Sequence, residues 1–222
     1  MKPILVAAAL LAVGAVSGCG ASDAPSASST SAKPTTQGQI VRSGFGQSGR
    51  YVQGIAEVSN LTDYASQTVV VTMSFYDASD ELVKTATRTT SFSWGGQALV
   101  VPVLADLGSD QRRITRVEAN LVIKDENRFD VGAPLPRPTP VTLAKDKYGR
   151  AVAQAQFTNT TDDMTFSLEE DAVCTNAAGE IVGGGSSLSD AAIRPGQSLV
   201  LEVPLTVSEP PAACEIAPAY RP

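Results

Sequence analysis

The 222-residue chain has no histidine and three cysteines, Cys19, Cys174 and Cys214. That inventory limits its chemistry at once. Without an imidazole there is no Ser-His-Asp or Cys-His nucleophilic triad, and no zinc site with a histidine ligand. The densest run of carboxylates is Glu169-Glu170-Asp171. Three carboxylates could begin a calcium site, but adjacent strand residues point to opposite faces. The run reads instead as a solvated strand edge whose charge resists edge-to-edge pairing. Arg112, Arg113 and Arg116 form a small basic cluster, either a solvated strand edge or a contact for an anionic polymer. A net charge of −6 gives no basic stripe of the kind nucleic-acid binders carry, so no nucleic-acid partner is expected. Neither a Gly-rich phosphate loop nor a Ser-x-x-Lys motif occurs. The expectation is a non-enzyme with no catalytic residue, cofactor or metal. A carboxylate-pair hydrolase remains the enzymatic alternative that needs no histidine.

Cys19 lies in a different setting. Lys2 supplies a positive charge, and residues 4–16 then run without one. That stretch has the length of a signal-peptide apolar region and is too short to span a bilayer. Val16-Ser17-Gly18-Cys19 follows. This resembles the bacterial lipobox, in which an aliphatic and two small residues precede a cysteine. The resemblance implies a diacylglyceryl group on the Cys19 thiol, cleavage just before it and acylation of the new N-terminus. An ordinary signal peptide with an incidental cysteine is the alternative. Several acyl chains at about 0.8 kcal/mol per buried methylene would anchor the protein effectively permanently. The implied location is the extracytoplasmic face of a bacterial cell membrane.

Residues 21–39 contain no Val, Ile, Leu, Met or aromatic side chain. Nothing there can bury apolar area against the entropy of ordering, so this stretch reads as a disordered tether with a reach of about 25 Å. With Cys19 assigned to a lipid by the resemblance, Cys174 and Cys214 remain. An exported compartment permits disulfides and two cysteines allow one pairing. Two buried free thiols are the other reading.

The chain repeats itself. Gly49-Arg50-x-Val52 recurs as Gly149-Arg150-x-Val152, and Asn60-x-Thr62-Asp63 as Asn159-x-Thr161-Asp162. Asp77-Ala78-x-x-Glu81-Leu82-Val83 returns as Asn176-Ala177-x-x-Glu180-Ile181-Val182, and Gly96-Gln97-x-Leu99-Val100 as Gly196-Gln197-x-Leu199-Val200. A constant offset indicates two copies of one unit, spanning 41–124 and 141–220. By this alignment Cys174 stands where Phe75 does, and Cys214 near Val117. Between the copies, Pro134, Pro136, Pro138 and Pro140 alternate. Such spacing favours a semi-rigid extended spacer that holds the copies apart.

Within the first copy, apolar residues alternate with a period of two. Val69, Val71, Met73 and Phe75 share one strand face, as do Thr115, Val117, Ala119, Leu121 and Ile123. Segments 51–58, 81–92 and 98–104 read as further strands, and Pro102 places the last at an edge or bulge. Short strands separated by turns are the pattern of a small β-sandwich of immunoglobulin-like type. The fold class is therefore all-β: two tandem sandwich domains after a signal peptide and a disordered linker. The expected boundaries are 1–18 for the signal peptide, 19–39 for the lipidated cysteine and tether, 40–131 for the first domain, 132–140 for the linker and 141–222 for the second. Met73-Ser74-Phe75-Tyr76-Asp77, with Leu82-Val83 beyond it, resembles the strand of FxLYD-type modules. Gly54-Ile55-Ala56-Glu57-Val58-Ser59-Asn60 and Gly95-Gly96-Gln97 resemble that family's neighbouring strand and turn. The second copy departs from the motif at Val173-Cys174-Thr175-Asn176. The resemblance implies an extracytoplasmic sandwich and no catalytic residues.

Two further features bear on partners. Asn60-Leu61-Thr62 and Asn159-Thr160-Thr161 fit the glycosylation sequon, but Asn and Thr at strand ends are turn formers, and the turn reading is preferred. Trp94, beside Gly95-Gly96, is a candidate contact for an envelope protein partner; packing over the end of the sandwich is the other reading. The functional expectation is a lipid-anchored, non-catalytic envelope protein that binds another protein or acts as a spacer. The alternative is a ligand- or metal-binding lipoprotein or a carboxylate-dependent envelope hydrolase.

Overall fold

The computed structural model describes residues 29–30, 37–124 and 134–221. Cys19 and the segment assigned to the signal peptide lie outside these residues. The first half holds β1 (Ser29–Thr30), β2 (Gly38–Ser48), β3 (Tyr51–Asn60), β4 (Thr68–Tyr76), β5 (Leu82–Ser91), β6 (Ala98–Asp106) and β7 (Arg116–Lys124). The second holds β8 (Thr142–Lys145), β9 (Ala151–Thr158), β10 (Leu168–Thr175), β11 (Ile181–Ser189), β12 (Ser198–Pro204), β13 (Thr206–Val207) and β14 (Ala213–Tyr220). No helix occurs among the described residues, and the protein is all-β.

Four sheets result, ordered β1-β7-β4-β5, β2-β3-β6, β13-β11-β10-β14 and β12-β9-β8. Every pairing is antiparallel except β1 with β7. The period-two alternation decides which side chains go inward. Val69, Val71, Met73 and Phe75 of β4 are fully buried against Val52, Ala56 and Val58 of β3 and Val101 and Val103 of β6. In the second half, Leu168 and Ala172 of β10 meet Ala153 and Phe157 of β9 and Leu201 and Val203 of β12. Pro102 sits on β6, an edge strand, as its missing N–H requires.

Repeat-equivalent positions make equivalent turns. Asn60 donates from Nδ2 to the Tyr64 and Trp94 carbonyls, while its Oδ1 accepts from the Thr62 N–H. Asn159 donates to the Asp163 and Ile193 carbonyls and accepts from the Thr161 N–H. Both asparagines are buried, so their role is to close turns. Asp77 and Asn176 likewise accept from backbone N–H groups of the Glu81 and Glu180 turns.

Three expectations are corrected. First, strand structure begins before residue 40: β2 starts at Gly38, and Ser29–Thr30 pair in parallel with Val117 and Glu118. Backbone pairing along β7 needs no apolar side chain, which is what the composition of the tether could not report. Second, the alternating prolines do not hold the halves apart. Leu135 is buried in the second-half core, and Arg137 bonds both Glu215 and the Ala98 carbonyl. Third, the sheets β2-β3-β6 and β13-β11-β10-β14 pack face to face, with Ile55, Val100, Val173, Ile181 and Ala217 forming a cluster between the halves. The molecule is a stack of four sheets.

Glycine makes that stack tight. A Cβ on Gly44 would lie 2.6 Å from the Ile181 Cβ, and one on Gly184 would lie 2.7 Å from the Ile55 Cδ1. At Gly44 the Ile181 carbonyl oxygen would also lie 2.8 Å away, so the two halves approach too closely there for any side chain.

Cys174 and Cys214 form a disulfide. They stand directly opposite one another on β10 and β14, as Phe75 and Val117 do on β4 and β7. The bond therefore ties neighbouring strands of one sheet. The cysteines are 40 residues apart, and closing a loop of that length contributes about 4 kcal/mol in the chain-entropy account. Replacing both cysteines with alanine should lower stability by an amount of that order, read from urea unfolding. An unchanged urea midpoint would show that the bond does not stabilise the fold.

Candidate functional site: a buried charge cluster between the halves

The side chains with the most unusual environment are those of the Glu169-Glu170-Asp171 run. The run occupies β10, an interior strand of its sheet, so it is not the solvated edge its composition suggested. Alternation then divides the run. Leu168, Glu170 and Ala172 point into the second-half core, while Glu169, Asp171 and Val173 face the first half. Glu170 and Asp171 are only 3% and 4% exposed.

A charge buried against another sheet needs a partner, and Arg88 supplies it. Val71 and Arg88 are directly opposite on β4 and β5, so Arg88 starts on the core-facing side of an edge strand. Its side chain turns around β6. One guanidinium nitrogen donates to the Pro102 carbonyl at 3.2 Å. The other donates to Glu169 Oε1, to Ser186 Oγ at 3.3 Å and to Asp171 Oδ1 at 3.4 Å. Thr90 Oγ1 donates to the second Glu169 oxygen at 3.5 Å. One arginine thus bridges three of the four sheets.

Burial pushes the Asp171 carboxyl up to about 7, against an opposing pull from Arg88. Glu170 is also raised to about 7 by burial, with a backbone N–H of Glu202 acting the other way. Glu170 and Asp171 point away from each other across the strand, so they do not converge on a shared cleft. Among the described residues no group of three His, Cys, Asp or Glu side chains is placed to hold a metal ion.

Trp94 is half-buried, packs on the second-half core and lies edge-on to Tyr220 with ring centroids 6.4 Å apart. Its ring is engaged by the chain's own second half. Arg112 pairs with Asp77, Glu81 and Asp110, and Arg116 with Asp80 and Glu118. The basic cluster is therefore largely matched by acids of its own half. Sequence reasoning missed Arg88, because nothing in the Thr-rich stretch around it signals a partner 81 residues away. It also passed over Gly183-Gly184-Gly185, which was legible as a site of close backbone approach.

No family model matches the chain, and no curated protein matches it. Among solved structures, similarity is found to red sea bream transglutaminase, with a TM-score of 0.27 and 10% identity over 79% of this chain and 28% of that one. This chain covers less than a third of that protein, and a likeness at this level carries no argument about activity.

The cluster makes two predictions. Arg88→Met should destabilise the protein by about 3–5 kcal/mol, since it strands buried carboxylates. Adding Glu169→Gln and Asp171→Asn should recover much of the loss, and an additive triple variant would refute the coupling. The second concerns pH. Glu170 and Asp171 are raised in the fold from ordinary values of 4.5 and 3.8 to about 7. The folded state therefore binds more protons than the unfolded one between these limits. Their contribution is complete below pH about 4, falls as pH rises, and is gone above about 7. Glu170→Gln should flatten the decline in chemical-denaturation stability across that window; an unchanged slope would exclude Glu170 as its source.

Proposed function

We propose that this chain is a lipid-anchored, non-catalytic protein of the bacterial cell envelope, held on the extracytoplasmic face through Cys19. The observation that carries the reading is Val16-Ser17-Gly18-Cys19 directly after the charge-free run 4–16. The Cys174–Cys214 disulfide agrees with it, since such bonds persist in exported rather than cytosolic compartments. In this reading the two halves are repeated immunoglobulin-like sandwiches of FxLYD type, and equivalent turns at Asn60 and Asn159 support the repeat. Their task is to engage an envelope protein or to act as a spacer. The Arg88 cluster favours one stiff body over two swinging domains.

Mass spectrometry of the mature protein tests the anchor. The expected N-terminus is Cys19 carrying a diacylglyceryl group, and Cys19→Ser should move the protein out of the membrane fraction. An unmodified N-terminus at another residue would overturn the proposal.

A further inference from the structure

The two halves differ at corresponding hairpin tips. In the first half the turn between β2 and β3 is Gly49-Arg50 alone, and the Arg50 guanidinium is matched by Asp106 at 3.2 Å. In the second half the turn between β8 and β9 is longer, Asp146-Lys147-Tyr148-Gly149-Arg150. Three of the five bases of residues 141–222, Lys145, Lys147 and Arg150, fall at this tip, with one of the eleven acids. An acidic half therefore carries one locally basic projection.

The tip is stiff. Asp146 Oδ1 accepts from the Tyr148 and Arg150 N–H groups at 2.8 and 2.9 Å, and its Oδ2 accepts from Arg150 Nε at 2.6 Å. The Gly149 N–H closes the turn on the Asp146 carbonyl at 2.9 Å. At Gly149 φ is +77°, a left-handed value that glycine takes without strain. The single acid is thus occupied by the turn and by Arg150, and Lys145 and Lys147 have no ion-pair partner among the described residues. Tyr148 is 70% exposed, and Lys147 Nζ and Arg150 Cζ lie 5.0 and 5.3 Å from its ring centroid. A ring this exposed adds nothing to the core; the turn holds it out between two cations.

The tip lies on the side of the molecule where the chain from Cys19 arrives. Ser29 pairs with Val117 at the start of β7, and Cys19 precedes it by ten residues, at most about 35 Å of chain. Just before β7, the Ile114 N–H donates to Gln47 Oε1, and Gln47 Nε2 donates to the Arg112 carbonyl. The Gln47 N–H in turn donates to Ser208 Oγ at 3.0 Å. Gly46 lies against Thr206 and Val207 of β13. The Leu205 N–H, immediately before β13, donates to the Ala151 carbonyl at the base of the tip. An unbroken line of contacts thus runs from Ser29 to Arg150. Trp94 and Tyr220 are at the other end of the second half, where Tyr220 stands opposite Leu168.

We propose that the Lys145–Arg150 tip is a membrane-docking element, and that it docks on the anionic phospholipid surface in which the Cys19 acyl chains insert. This rests on the anchor reading above, which supplies the membrane. Tyr148 places its ring at headgroup depth with the hydroxyl toward water, the setting in which such rings concentrate. Lys145 and Lys147 reach lipid phosphates along flexible apolar stems. Acyl chains hold a body near a bilayer but do not orient it; a second point of contact fixes which side faces the lipid. The rest of the second half carries a large excess of acids, which an anionic surface repels, so the basic tip is the part of it that approaches.

The test is tryptophan fluorescence of the protein extracted from its membrane and reconstituted into vesicles, with and without bromine on the lipid acyl chains. The wild type has one tryptophan, Trp94, so Tyr148→Trp adds the only emitter at the tip. In vesicles of phosphatidylglycerol and phosphatidylcholine, brominated lipid should quench the added emission about twofold or more and leave the wild-type emission unchanged. Lys145→Glu combined with Lys147→Glu should remove that quenching, as should vesicles of phosphatidylcholine alone. Added emission equal in brominated and plain vesicles would overturn the proposal. So would quenching that survives both lysine changes, or equal quenching of the wild type. The mass of the protein recovered from the same vesicles reads the anchor separately: lipid on Cys19 without quenching sinks the tip alone, and no lipid on Cys19 sinks the reading beneath it.

Discussion

The rest of the structure depends on the contact between the two inner sheets, β2-β3-β6 and β13-β11-β10-β14. A sheet in an ordinary two-layer arrangement keeps one face in water and alternates apolar with polar side chains. These two sheets have a core on one face and each other on the opposite face. Gly44, Gly184, Ala217 and Ala219 let the backbones approach, and Ile55, Val100, Val173 and Ile181 fill what space is left. Arg88, Glu169 and Asp171 are desolvated by this contact, and their pairing is what makes burying them tolerable. Each half therefore conditions the electrostatics of the other.

That arrangement explains why a repeated sequence has produced halves with different surfaces. In the first half, β4 has an outer face of half-buried Val70, Thr72, Ser74 and Tyr76, and the outermost sheet is long and fully paired. In the second half, the strand equivalent to β4 is the interior strand β10, whose outer face is covered by the first half. The outermost sheet of the second half, β12-β9-β8, has lost most of an edge strand to a proline-rich approach. The copies differ as the stacking requires: Glu169, Asp171, Gly184 and Ala217 face the first half beside Val173 and Ile181, and the disulfide stands where the first half has the Phe75–Val117 pair.

Much of the strand content was legible because a half-buried strand advertises itself with a period of two. The inward set of β4 and that of β7 were readable residue by residue, as was the edge position of Pro102. The turns at Asn60 and Asn159, and the cysteine pair at the positions of Phe75 and Val117, followed from the repeat. What failed did so for two reasons. β2 and β8 carry weak alternation, since glycine and polar residues dominate β2 and β8 is four residues long. The acidic run was misread because a sequence window reports charge but not which sheet will lie across from it.

The amino-acid sequence by itself determined the all-β character, the repeat, the turn chemistry and the exclusion of histidine-based catalysis. These rest on local periods, on residue types and on what the composition lacks. Only the tertiary structure decided that the halves stack into four layers, that Arg88 meets Glu169 and Asp171, and that Leu135 of the linker is buried in the second-half core. Those outcomes depend on surfaces far apart in the chain coming within van der Waals reach, and no local pattern encodes which face will meet which.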